Sequence, residues 1–259
     1  ANRGPDFNGD WQGKDYEPLL VHTRLALVDE SKNGKQPMLS NNGNMVIVFN
    51  GEIYNHNDIR KSFKIKTGEN FFKGYSDTET LLENIEKYGQ NQSLKDVKGM
   101  FAYATWDRSK EILTIVRDRF GEKPLYWYKE INEYFDERII FSSDLNAIKE
   151  VSIKKLEINN KALEEYLKNG YIFSKNTIYK NIFRLMPGTK IEFEIKNKNN
   201  NQIKIKEKHG RYWSINNYKI DINQNQSEEE YINELDILLN NVIKETTKEI
   251  RSAAIKSTG

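Results

Sequence analysis

Asn50 and Gly51 are the residues whose chemistry stands out: together they could stabilise negative charge on an amide oxygen. They close the apolar run Met45-Val46-Ile47-Val48-Phe49. That run is short and rich in β-branched side chains, so it reads as a buried strand. Asn-Gly is a strong hairpin signal because both residues tolerate positive φ. A hairpin needs a second alternating strand directly after the turn. The next residues, Glu52-Ile53-Tyr54-Asn55-His56-Asn57-Asp58, are instead polar and cap-like and lead toward a short helix over 57–63. The strand is therefore expected to break at Asn50-Gly51. It would deliver a side-chain amide and a backbone N–H to one point, with neither used in a hairpin ladder. A donor pair of that kind is what an oxyanion hole requires. Standing alone, an Asn-Gly pair is more often a plain turn, so the rest of the chain has to supply the context.

The elements that would position this pair are set by periodicity. Residues 19–28 (LLVHTRLALV) alternate as a strand carrying His22 and Arg24. A polar loop over 31–43 precedes the strand at 45–50. Ser76-Asp77-Thr78-Glu79 has the form of a capping box. Leu81, Leu82, Ile85 and Tyr88 then give one apolar helical face that Gly89 ends. Residues 100–106 and 112–117 are expected to form a hairpin, with further strands at 124–128, 139–142 and 190–195. Short helices are expected at 145–149 and at 161–169, the second capped by Asn160. Residues 196–208, nearly all Asn, Lys, Gln and Ile, read as a surface loop. A second capping box, Ser227 to Glu230, opens the longest helix, about 228–250. Tyr231, Leu235, Leu238, Leu239 and Val242 would form its buried face. Strands outnumber helices to about residue 195, and hairpin-like neighbours predict an α+β fold with antiparallel sheets.

The bulk properties narrow the function classes. The chain has 259 residues with 40 basic and 38 acidic side chains, a formal net charge of +2. Charges so balanced and interspersed argue against nucleic acid or an anionic membrane as the main partner. No apolar run approaches the ~20 residues that span a bilayer. With no signal-like leader either, the chain reads as cytosolic. There is no cysteine, which removes disulfides, thiolate metal sites and thiol nucleophiles. His22, His56 and His209 have no ligand spacing, so no metal site is expected. Neither a G-x-x-x-x-G-K-[ST] loop nor a G-x-G-x-x-G is present.

Seven short pieces line up in order: R-G-P-D at Arg3 to Asp6, H-T-R-L at His22 to Leu25, N-G-E-I-Y-N at Asn50 to Asn55, S-D-T-E at Ser76 to Glu79, G-M-F-A at Gly99 to Ala102, R-D-R-F-G-E-K-P-L-Y at Arg117 to Tyr126, and Phe141-Ser142-Ser143-Asp144. This series resembles the class II, N-terminal-nucleophile-type glutamine amidotransferase domain of asparagine synthetases. T-I-Y-K-N-I-F-R-L-M-P-G at Thr177 to Gly188 and R-Y-W at Arg211 to Trp213 resemble the end of that domain, so the likeness covers 1–213. It implies a sandwich of antiparallel sheets flanked by helices, with 214–259 as the helical start of an ATP-dependent synthetase domain. It also implies roles. Arg24 matches the clamp for the α-carboxylate of glutamine, a task suited to a guanidinium fork. Asp77 matches the acceptor of the α-amino group. Asn50 and Gly51 match the oxyanion hole, and Glu52 completes the substrate-binding set. Arg3 matches a supporting residue near the site, and Arg117 and Asp118 match structural bridges. On spacing alone, Arg24 reads rather as a surface ion pair, and Asp77 as a first-turn carboxylate facing the helix dipole.

One departure from the resembled pattern is severe. The family attacks with an N-terminal cysteine whose own α-amine is the base, whereas residue one here is Ala1. The S-G-G-x-D-S pyrophosphate loop of the synthetase domain is not found. The chain is therefore expected to be truncated at both ends and, as it stands, inactive as a glutaminase. The resemblance implies L-glutamine as partner, with aspartate, ATP and Mg used by the full-length enzyme, none of these cofactors in this piece, and a homodimer compatible with it. Two other readings remain open at this point: an amidotransferase acting on carboxylated sugars, and a non-catalytic glutamine-binding module.

Overall fold

The computed structural model describes residues 4–14, 17–25, 29, 31–67, 71–131, 136–196, 203–218 and 227–256. In chain order, β1 (Phe7–Gln12) and β2 (Leu19–Arg24) pair as an antiparallel two-stranded sheet. β3 (Met38–Leu39) and β4 (Met45–Ile53) come next, then α1 (His56–Thr67), α2 (Asp77–Tyr88) and α3 (Gln90–Asp96). The chain continues through β5 (Gly99–Asp107), β6 (Ile112–Arg117), β7 (Tyr126–Ile131), β8 (Glu137–Ser142), α4 (Leu145–Val151) and α5 (Asn160–Asn169). It closes with β9 (Ile182–Arg184), β10 (Thr189–Lys196), β11 (Lys204–Arg211) and the 29-residue α6 (Glu228–Lys256). A six-stranded sheet has the order β11-β10-β6-β5-β4-β3 and a three-stranded sheet the order β8-β7-β9. All the pairings within them are antiparallel.

The alternation along β4 sets the layers. Met45, Ile47, Phe49 and Ile53 face one side, where they cluster with Ile59 and Phe63 of α1, Leu81, Leu82 and Ile85 of α2, and Leu94 of α3. Val46 and Val48 face the other side and cluster with Leu20 of β2, Ile115 of β6, Trp127 of β7 and Phe193 of β10. Trp127 belongs to the three-stranded sheet, so the two larger sheets pack face to face. Tyr128 and Ile182 of that sheet pack outward on Ile148 and Leu145 of α4. The result is a helix–sheet–sheet–helix stack, the α+β sandwich expected. Each fully buried Leu, Ile or Phe in these clusters contributes ~1.5–3 kcal/mol through the apolar area it withdraws from water.

Several elements differ from expectation, each for a physical reason. β4 does not break at Asn50-Gly51. It runs to Ile53, with Asn50, Gly51 and Glu52 opposite Ala102, Phe101 and Met100, because β5 is long enough to carry the ladder past the polar residues. Residues 204–211 form β11 rather than a loop; its alternation is masked by Lys and Glu side chains. Charge of that kind is common on an edge strand, where it deters pairing with another chain. Here Lys208 pairs with Glu192 across the ladder at 3.3 Å. The cap of α5 is Asn159, not Asn160. Ser76 caps α2 through Thr78 N at 3.1 Å, but Glu79 does not return to the Ser76 amide as a capping box would. It turns instead to the amides of Lys73 and Gly74. The box from Ser227 to Glu230 is present in both directions. The apolar face of α6 is not buried: Tyr231, Leu235, Leu238, Leu239 and Val242 are 40–59% exposed. An amphipathic pattern shows that a face is apolar, not which surface covers it. No helix among the described residues is long and apolar enough to cross a membrane.

One buried polar contact in the helical layer gives a test. Glu83 on α2 is 3% exposed and accepts a bond from Asn41 N at 2.6 Å. Burial pushes its carboxyl up to about 7, with Glu79 and Glu86 adding and Asn41 and Lys73 opposing. A folded-state value above the unfolded one favours folding below the ordinary carboxylate range, and that contribution is lost as pH rises toward about 7. Glu83→Gln keeps the acceptor and removes the charge. Its stability relative to the parent is expected to increase between about pH 4.5 and 7 by up to about 3 kcal/mol and then level off. Urea denaturation across that range checks this; a pH-independent difference contradicts it.

Candidate active site

The site is built on the open edge of β4. β3 pairs with β4 at Ile47 and Val46, and beyond Ile47 no strand among the described residues pairs with that edge. Side chains and loops take its backbone groups instead. Phe49 N donates to Gln36 Oε1 at 2.6 Å, and Phe49 O accepts from His22 Nε2 at 3.1 Å. Ile53 N donates to Asp77 Oδ2 at 2.9 Å. Backbone groups alternate sides along a strand. The Gly51 N–H therefore points to this same edge, midway between two amides already held, and away from β5. Asn50 lies on the sheet face of Val46 and Val48 and is exposed. The strand thus supplies the amide and backbone donors while remaining in its ladder. Gly51 is required by the close approach to β5: a Cβ there would sit 2.1 Å from Met100 O and 2.7 Å from Phe101 Cα. Glu52 is half-buried on the Asn50 face. It helps push the Tyr54 phenol up to about 12, after burial and Glu122 and before Asp118.

β2 brings the guanidinium. Leu20, His22 and Arg24 lie on one face of the strand. Burial lowers the His22 ring below its ordinary value, the Phe49 bond opposing and the Arg24 charge adding. The ring donates from Nε2 to the Phe49 carbonyl, which can only accept, and this stitches β2 to β4 one residue from Asn50. Arg24 is 8% exposed, and its Nη1 donates to Ser31 O at 3.1 Å. Gly34 makes room for it, since a Cβ there would be 2.2 Å from Nη2. Asp29 lies close enough for its charge to be felt. Burial pushes Asp29 up, but bonds from Ser31 and Tyr75 and the Arg24 charge outweigh it and hold the carboxyl below its ordinary value.

The start of α2 brings the carboxylate. Asp77 is 5% exposed; Oδ2 accepts from Ile53 N and Oδ1 from Thr78 N at 2.8 Å. Burial raises its carboxyl above the ordinary range despite the bonds from Ile53 and Thr78 and the charge of His56. The turn before it is tied to the Arg24 corner: Tyr75 N donates to Asp29 Oδ2 at 3.0 Å and Asn33 Nδ2 to Lys73 O at 2.8 Å. A ring of contacts therefore starts and ends on β4, running through His22, Arg24, Ser31, Asp29, Tyr75, Asp77 and Ile53.

All five expected site residues, Arg24, Asn50, Gly51, Glu52 and Asp77, lie on or beside this ring. Arg3 is outside the described residues. Arg117 is used structurally, donating to the carbonyls of Lys123 and Leu185 at 2.7 and 2.8 Å. Asp118 accepts from the amides of Phe120, Glu122 and Lys123 at 3.0 Å. Sequence reasoning missed Gln36, which spans from Phe49 N to Thr78 Oγ1, and Asp29, which links the two charged corners. Neither has a spacing signal that separates it from other loop polars. A cavity of about 390 Å³ lies elsewhere, among α1, α2 and α3, lined by Ile59, Ser62, Asn84, Tyr88, Gln92 and Asp96. It contains none of the five. Among the described residues no His, Cys, Asp or Glu cluster could hold a metal.

A family model described as a glutamine amidotransferase domain matches residues 1–213. The chain belongs to that family. A Methanocaldococcus jannaschii protein provisionally named asparagine synthetase (glutamine-hydrolysing) 2 is 34% identical over 237 residues, covering 84% of this chain and 42% of its own length. Asparagine synthetase (glutamine-hydrolysing) 3 of Bacillus subtilis is 32% identical over 196 residues, covering 74% of this chain and 30% of that protein. A Dictyostelium discoideum protein named for the same activity is 33% identical over 205 residues, with coverages of 74% and 35%. The chain thus spans less than half the length of each of these curated relatives.

The β4–β5 approach predicts a cost at Gly51. Gly51→Ala forces a methyl onto the Met100 carbonyl and is expected to destabilise the domain by ~1–3 kcal/mol, as overpacking does. Urea unfolding measures it, and a parent-like midpoint contradicts the close approach.

Proposed function

We propose that the β4 edge binds L-glutamine, and that in a longer protein the ammonia released there serves asparagine synthesis. Arg24 takes the α-carboxylate and Asp77 the α-ammonium. The side-chain amide then lies against Asn50 Nδ2 and Gly51 N–H. Attack on its carbonyl places negative charge on oxygen, and donors already aimed at that point lower the barrier without reorganising. The observation that carries this reading is the Gly51 amide on the same strand edge as Phe49 N and Ile53 N, with the Arg24 and Asp77 corners joined through one turn. Glu52 borders the donor pair. The family match and the glutamine-hydrolysing names of the relatives support the choice of glutamine.

The attacking group is not a thiol of this chain, because none of its 259 residues is cysteine. As it stands the chain is expected to bind glutamine without hydrolysing it. The aspartate, ATP and Mg of the full reaction belong, in this proposal, to a synthetase unit that begins within 214–259, the amidotransferase unit being 1–213. A homodimer is compatible with the proposal.

The pure chain allows three tests. Arg24→Ala is expected to lose at least ~1.5 kcal/mol of L-glutamine affinity by calorimetry, the lower end for a charge-assisted bond. Unchanged affinity refutes the clamp. A glutaminase assay is expected to show no turnover above buffer, and turnover would sink the claim of inactivity. The third test concerns pH. Asp77 holds an ammonium only when ionised, and burial sets its titration above the ordinary aspartate range, with His56 and Arg60 of α1 facing it. Affinity should fall as pH drops through that raised range, and Asp77→Asn should abolish the dependence. A dependence that persists in Asp77→Asn assigns the titration to another group.

A further inference from the structure

Resting on the glutamine reading, we propose that Arg60 of α1 is the positioning residue for the α-ammonium end of the site. It would hold the 73–76 turn so that Asp77 meets the substrate at a fixed place. Arg60 does not touch Asp77. Its Nη1 donates to Gly74 O at 2.5 Å and its Nη2 to Ser76 O at 2.6 Å, the carbonyls on either side of Tyr75. Its Nε donates to Thr80 Oγ1 at 2.5 Å, and Nη2 also reaches Glu79 Oε2 at 3.3 Å. One planar fork thus joins the turn to the first turn of α2. The guanidinium lies 4.2 Å from the centroid of the Phe72 ring, and its side chain is 15% exposed.

Glu79 completes the device from below. Its Oε1 accepts from Lys73 N at 2.6 Å and its Oε2 from Gly74 N at 3.0 Å. The amides of Lys73, Gly74 and Tyr75 therefore go to Glu79 and Asp29, and the carbonyls of Lys73, Gly74 and Ser76 to Asn33 and Arg60. Within this frame Tyr75 is 81% exposed, so its side chain does not anchor the turn. Rigidity comes from the polar frame, to which α1 contributes Arg60. A lysine has the charge but not the fork, so it cannot serve Gly74, Ser76 and Thr80 together.

The test separates positioning from general support. The probes are L-glutamine and glutaramic acid, which is glutamine without its α-amino group. Calorimetry compares them on the full 259-residue chain. The parent is expected to prefer L-glutamine. Arg60→Met should cut that preference by about tenfold, the loss of one charge-assisted bond, while glutaramate affinity stays within about threefold of the parent, short of the loss of such a bond. Arg60→Lys should lie between. Equal losses for both ligands, or an unchanged preference, overturn the inference. If Arg60→Met fails to fold by circular dichroism, Arg60→Lys decides, and a parent-like preference there is the contradicting result. A parent that does not bind L-glutamine overturns the glutamine reading itself. A parent that binds, with preference intact in the variants, overturns only the role of Arg60.

Discussion

The bond from the Ile53 amide to the Asp77 carboxylate, at 2.9 Å, is the constraint on which the site depends. It joins β4, the penultimate strand of the larger sheet, to the first residue of α2. Without it, β4 would leave an unpaired amide on an edge with which no strand among the described residues pairs at that point, and Asp77 would be a buried carboxylate short of a donor. Either condition costs several kcal/mol in an apolar setting. With it, the strand edge and the helix start share one position. Phe49 is fixed the same way by Gln36 and His22, so Gly51 is left between two anchored neighbours. A donor held on both sides is preorganised, which is what stabilising transient charge demands.

Electrostatics are consistent with a zwitterionic ligand. Asp77 sits above its ordinary pKa because burial outweighs its donors, which is the state of a carboxylate that gains from a cation. Arg24 is enclosed among Ser31, Gly34 and Asp29. Its fork is thereby oriented before any ligand arrives, so less ordering entropy is lost on binding.

Much of this is legible in the sequence. The apolar run at 45–49, the Ser76 cap, and the hairpin of β5 and β6 emerge from local pattern, and the five candidate residues from local pattern or from resemblance. What pattern misses is non-local. Nothing in Asn50-Gly51 announces that β5 will continue the ladder past it, because pairing depends on a strand some fifty residues away. The carboxylate of Glu79 looks like half of a capping box, yet the folded chain turns it to the amides of Lys73 and Gly74. Gln36, Asp29 and Arg60 are loop or helix-surface polars in sequence and become framework only when three segments meet. β11 is hidden because its charged residues suit an edge and obscure the period of two. The face of α6 is apolar as its periodicity predicts, but the described residues do not cover it.

The most direct measurement is an L-glutamine titration of the ¹⁵N-labelled chain followed by amide resonances. The Gly51 backbone signal and the Asn50 side-chain signal should move together with those of Ile53 and Tyr75, saturating on one curve, while D-glutamine leaves them in place. Shifts confined to other surfaces, or a Gly51 resonance indifferent to L-glutamine at saturation, would contradict a single site on the β4 edge.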